Sequence, residues 1–200
     1  GISAWSLLKR RDTLADVDRR GLRRALRGAI ALTLVAGVGV AVSGDFQARL
    51  MFEQQPMKMA SAEALCNTEQ GPGLSVLALV GEEGADCNLR TWAIPKGLSL
   101  LATHTTDATI KGVNDLNTEY QAKYGPGDYT PNIAVTYWTF RFMIGIGMFG
   151  ALIAVWAWWR IRKGKGFSGK LAWWAAVTVP FMGLLGNSFG WVFTEMGRQP

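Results

Sequence analysis

Charged residues make up only 18% of the 200, against 49% hydrophobic ones, and they are missing altogether from three windows. Gly28 to Gly44 carries none in 17 residues, Phe142 to Trp159 none in 18, and Leu171 to Thr194 none in 24. A hydrocarbon core about 30 Å thick is crossed by about 20 apolar helical residues, and the first window reaches that length with Arg27 snorkelling. These gaps exclude a free soluble enzyme and predict an all-α integral membrane protein. The residues read as containing no signal peptide with a cleavage site, and no repeat or low-complexity tract is expected. Cysteine occurs twice and histidine once.

What charge there is divides unevenly. Eight basic residues (Lys9, Arg10, Arg11, Arg19, Arg20, Arg23, Arg24, Arg27) lie between Lys9 and Arg27 against three Asp, and five basic and no acidic residues lie between Arg160 and Lys170. By the positive-inside rule both stretches are cytoplasmic. The segment from Asp45 to Thr130 holds eleven acidic and six basic residues, so it belongs on the opposite face. With the net charge of +6 resolved into sidedness, no single basic stripe remains and a nucleic-acid partner is not expected.

The resulting order is the end of a preceding transmembrane helix (1–8), a cytoplasmic basic loop (9–23), a first span (24–45), a long extracytoplasmic loop (46–131), a second span (132–159), a second cytoplasmic basic loop (160–168), a third span (169–195) and an extracytoplasmic end (196–200). The apolar start running straight into Lys9 predicts a fragment of a larger protein. Pro180 predicts a kink in the third span, and Gly183, Gly186 and Gly190 leave it a face without bulk. In the long loop, Gln55 to Leu65 has good helix formers after Pro56 and Leu74 to Val80 reads as a short strand or helix. Gly and Pro clusters elsewhere leave few apolar runs to hold the loop rigid. Its Cys66 and Cys87 both fall on the oxidising side. A bond between them, closing about 22 residues, would add roughly 3 kcal/mol in the chain-entropy model; two buried free thiols are the alternative.

Several side chains stand out against this background. Arg141 and Met143 lie within the second span beside Gly145 and Gly147. A charge inside a membrane faces a cavity, a partner charge or a cofactor; Met143 taken alone reads as core filler, but beside an Arg and small residues its thioether can be an axial haem ligand. Trp191, Glu195 and Arg198, at spacings of four and three, share one side at the end of the third span. The bland reading is an interfacial Trp followed by solvated charges. Lys58 and Glu63, five apart, are about 140° apart around a helix and would have to bracket a ligand from a groove. His104, in a polar loop, reads as a surface residue.

Four patches, GISAWSLLKRRD, QPMKMASAEA, YWTFRFMIGIG and GWVFTEMGRQP, together resemble subunit I of the cytochrome bd quinol oxidases. The last is the most specific, since Glu-x-Gly-Arg-Gln-Pro after a Trp-containing helix is close to a family signature. Residues 68 to 130 match nothing in the family pattern, and the loop looks like the form without the insertion after its Lys and Glu. The resemblance implies a haem-containing quinol:O2 oxidoreductase of a bacterial respiratory chain, multi-pass in the plasma membrane. It would oxidise quinol at the outer face and reduce O2 to water with charge separation.

Position by position, the resemblance makes Lys58 and Glu63 the quinol-binding and deprotonating pair. Met143 becomes the axial ligand of a low-spin haem b, supported by Arg141. Glu195 becomes the acidic ligand of a high-spin haem, assigned to haem b in some members and to haem d in others. Trp191 becomes an electron-transfer step between haems, and Arg198 a propionate partner. The family's two His ligands and its proton path fall on earlier helices outside these residues. The implied partners are the remainder of the subunit, the second large oxidase subunit, quinol, O2 and the bilayer, with small subunits left open. The rival from another class is a non-enzymatic membrane transporter or assembly subunit.

Overall fold

The computed structural model describes residues 2–9, 16–79, 90–163 and 169–198. Seven helices follow one another: α1 (Ile2–Lys9), α2 (Asp16–Gln54), α3 (Pro56–Ala62), α4 (Gly97–Thr103), α5 (Val113–Tyr124), α6 (Ile133–Arg162) and α7 (Lys170–Met196). Four short strands, β1 (Glu69–Gln70), β2 (Leu74–Leu79), β3 (Arg90–Ile94) and β4 (Thr109–Ile110), fall between α3 and α5. Three helices, α2, α6 and α7, are long and apolar enough to cross a membrane.

Helix α2 extends past the expected span at both ends. Its first turn carries Asp16 and Asp18, which favour the positive end of a helix dipole, so the basic stretch is already helical from Asp16. Arg160 and Arg162 occupy the last turn of α6, the complementary arrangement. Pro180 lies inside α7, and helix is assigned on both sides of it.

Close-packed contacts divide the chain into two units. The first comprises Gly1–Val42 and Met143–Ser188. Its core is small, built from Ala4, Leu26, Ile30, Ala157 and Ala176 with Leu7, Leu8, Leu34, Trp156 and Ile161 against it. Three of its five buried residues are alanine, which lets helices approach closely where lipid offers no hydrophobic drive to associate. Most of its other large apolar side chains, among them Leu32, Val35, Leu152 and Leu184, point outward, as they must in a bilayer.

The second unit comprises Ser43–Phe142 and Phe189–Pro200 and carries the polar chemistry. Pro56 opens α3, where its missing N–H is no loss. Every residue of α3 from Met57 to Ala62 is buried. Met57, Met59, Leu98, Val113, Leu116, Ile133 and Tyr137 form the centre of one core. Thus the described part of the long loop is packed, with apolar anchors contributed singly instead of in runs. β1 pairs antiparallel with β4 and β2 with β3, the second ladder being irregular between Ser75 and Leu77. Gly112, which precedes α5, admits no side chain: a Cβ there would lie 2.5 Å from the Asn67 Cα and against the Cys66 carbonyl. Cys66 itself is disulfide-bonded; Cys87, its expected partner, lies outside the described residues.

Candidate functional site

Helix α3 is a single short turn system, yet it sends two ionisable side chains to different surroundings. Glu63 forms its C-cap and is only 1% exposed at the side chain. Ala64 follows in the left-handed region at φ 52°, which turns the chain sharply after it. From α6, Arg141 donates to the Glu63 Oε2 at 2.6 Å and to the Ser75 carbonyl at 2.6 Å. The break in the β2 ladder at Ser75 explains why strand backbone is free to take part. The Ser75 N–H also donates to Glu63, and its hydroxyl meets the Tyr137 hydroxyl at 3.1 Å. Tyr137, fully buried, offers its ring to the Arg141 guanidinium at 4.7 Å.

This is a buried ion pair whose desolvation is only partly offset. Burial pushes the Glu63 carboxyl above its ordinary value of 4.5, against the pull of Arg141 and the Ser75 amide. Of the three partners expected for a charge in the span (a cavity, a partner charge or a cofactor), Arg141 has found a partner charge, although spacing did not name Glu63 as that partner. One guanidinium nitrogen remains open: the Arg141 Nε is buried with no hydrogen-bond partner among the described residues. A buried donor left open costs free energy unless an acceptor meets it.

Lys58 turns to the other partners of the unit. Its Nζ donates to the Thr194 carbonyl at 3.3 Å and lies 5.0 Å from the centroid of the Phe193 ring. Burial pushes its ammonium down; Arg198 acts in the same direction and Glu195 against it. Arg198 in turn approaches Glu195 at 3.8 Å, one turn back at the end of α7. Trp191 is 68% exposed. A cavity of about 230 Å³ opens here, lined by Gln54, Gln55, Lys58, Tyr120, Thr194 and Arg198 among others. It is smaller than the ~300–1,000 Å³ of sites for drug-sized ligands and fits a single substituted ring surrounded by donors.

The Lys58 stem crosses Gly197, where an added Cβ would lie 2.9 Å from the Lys58 Cγ and 3.0 Å from its Cε. That contact gives the glycine of the EMGRQP patch a physical role. Gly197→Ala is therefore expected to push Lys58 out of the cavity and raise KM for the cavity's ligand several-fold while leaving the fold intact, as read by steady-state kinetics alongside thermal unfolding.

Met143 is half-buried, and a Cβ on Gly145 or Gly147 would meet nothing within 4 Å. Open space beside the thioether fits a flat group. His104, the chain's one His, is engaged with Asp45 at 3.0 Å. Among the described residues no group of three or more His, Cys, Asp or Glu could hold a bare metal ion.

Sequence reasoning reached Lys58, Glu63, Arg141 and Glu195 but not Ser75, Tyr120, Tyr137 or Gly197. Tyr137 had a signal, since it precedes Arg141 by four on one helix face. Ser75 had none, because its part depends on a break in strand pairing.

The sequence profile described as "Cytochrome bd terminal oxidase subunit I" matches residues 1–200. The chain is 34% identical over its full length to a Bacillus subtilis protein named cytochrome bd ubiquinol oxidase subunit 1, covering 42% of that relative. It is 25% identical over its full length to the Escherichia coli cytochrome bd-II ubiquinol oxidase subunit 1, covering 48% of it. The solved bd oxidase from Geobacillus thermodenitrificans superposes with a TM-score of 0.69 at 24% identity, over 98% of this chain and 41% of that one, a likeness of fold. The chain thus spans less than half the length of these relatives.

Proposed function

The chain belongs to the cytochrome bd terminal oxidase subunit I family, and from that premise we propose that it forms the quinol-binding part, and one side of the haem-holding part, of a respiratory quinol:O2 oxidoreductase. The observation that carries the reading is the position of α3, which gives Lys58 to a ring-sized cavity and Glu63 to a buried partner on α6, the helix of Met143. A quinol losing two electrons must lose two protons as well. Lys58 orients the headgroup and stabilises a developing quinolate by a charge-assisted hydrogen bond, its lowered pKa keeping the ammonium a good donor. Glu63, which does not line that cavity, is the acceptor of a hydroxyl proton that the family resemblance implies, and burial has raised its affinity for protons.

Met143 would hold a low-spin haem b from one side, with Arg141 Nε available to a propionate. Glu195 would hold a high-spin haem b or haem d, and Arg198 would balance its charge. Trp191 presents an aromatic ring for electron transfer between them. Such haems, when bound, supply the electron acceptor for quinol and the iron at which O2 is reduced. The His ligands would come from the remainder of the subunit, and the second large subunit completes the oxidase. Residues 46–131 face the outside of the plasma membrane, so protons from quinol leave there while those for water are drawn from within. That division separates charge without a pump.

Lys58→Ala and Glu63→Ala, made in the intact oxidase, are expected to raise KM for quinol or lower kcat at least tenfold with the haem spectrum unchanged. Normal quinol kinetics in both would remove the assignment. Membranes free of a Soret band and of a chlorin band in the red would instead favour a transporter.

A further inference from the structure

The first unit contains a second cavity, of about 450 Å³, lined by Arg27, Ile30 and Ala31 of α2 and by Trp158, Ile161 and Arg162 of α6. We propose that it binds the phosphate headgroup of an anionic phospholipid. The lining has two parts. Arg27 and Arg162 bring a cation from each of two helices, and among the described residues neither has a carboxylate partner. Ile30, Ala31 and Ile161 supply an apolar floor. Two guanidinium groups over apolar side chains at the end of membrane-spanning helices match a ligand with an anionic head and a hydrocarbon tail.

The second observation is how the cations are held. Arg162 lies over the Trp158 ring at 5.1 Å, Arg160 over Trp156 at 5.4 Å, Lys163 over Trp159 at 4.2 Å and Lys9 over Trp5 at 5.3 Å. In every pair the cation is four residues beyond the Trp, so the long side chain folds back along its own helix towards the bilayer. The ring holds one face of the Arg162 guanidinium, and its N–H edge is left for bidentate contact with a phosphate. Deeper on α6, Val155 and Leu152 are exposed along the path acyl chains would take. A free phosphate would use the cations but not this apolar continuation, which is why the lipid is the occupant assigned. The site lies in the unit that lacks Lys58 and Glu63, so it is independent of the quinol reading.

The test uses the intact oxidase in nanodiscs of neutral phosphatidylcholine titrated with phosphatidylglycerol, reading the thermal unfolding midpoint and the bound phospholipid by native mass spectrometry. Phosphatidylglycerol is expected to raise the midpoint and to survive as bound lipid. Arg27→Gln/Arg162→Gln is expected to weaken its apparent affinity about thirtyfold, at roughly fivefold per cation. If the double variant fails to fold, Ala31→Phe fills the cavity with both charges kept and is expected to weaken binding as strongly. An unchanged response in the foldable variant, as when another helix of the subunit covers the cavity, overturns the proposal. So does an equal stabilisation by inorganic phosphate, which would make the ligand a free anion.

Discussion

Arg141→Met is expected to destabilise the oxidase by about 3–5 kcal/mol and to abolish quinol turnover, the largest effect of any substitution in the second unit. The reason is what it leaves behind. Glu63, at 1% side-chain exposure, would lose its 2.6 Å partner and have to stay buried as an uncompensated charge or take up a proton. Without the pull of Arg141 burial favours proton uptake, and the protonated carboxyl cannot act as a base. Glu63→Gln/Arg141→Met takes away both charges, so its stability should exceed that of Arg141→Met alone even though turnover stays lost. The double-mutant cycle on thermal unfolding therefore separates the ion pair from mere packing of the Arg141 stem on Tyr137. Equal stability of the single and double variants would show that the pair is not coupled.

The same carboxyl fixes a pH dependence. Its folded pKa is raised above the ordinary 4.5, so between the two values the folded state holds a proton that the unfolded chain has lost. The stability it lends is full below 4.5 and is lost as pH rises through the folded value. Turnover moves the other way over that window, because only the ionised form accepts a proton. Glu63→Gln should flatten this limb of the stability profile.

How legible this was in the sequence depended on the range of the interaction. The spans of α2, α6 and α7 followed from missing charge, since a bilayer imposes length and apolarity locally. α3 followed from Pro56 and its helix formers. The core of the long loop did not, because Leu98, Val113, Leu116 and Ile133 are single anchors that pack only after the chain has doubled back. The bond from Glu63 to Arg141 crosses 78 residues, and no periodicity reports a contact at that separation. Spacing did show that Lys58 and Glu63 face apart, and the structure gives that divergence its content: a cavity for one and a buried cation for the other.

Met143→Leu bears on the haem assignment, and a near-isosteric change makes it discriminating. Leucine keeps the apolar volume and removes only the sulfur, so packing should cost less than about 1.5 kcal/mol. If Met143 is the axial donor, the low-spin haem signal should vanish or its potential fall, because thioether ligation raises the potential of haem iron. Glu195→Ala makes the complementary test at the end of α7. Arg198, 3.8 Å away, offers Glu195 partial compensation, so losing this half-exposed carboxylate should leave the fold stable. Loss of one high-spin haem and of O2 reduction, with the low-spin signal retained, is then expected from absorption and magnetic spectra of the purified oxidase. An unaltered low-spin spectrum and potential in Met143→Leu would return Met143 to packing and require the axial donor to come from another helix of the subunit.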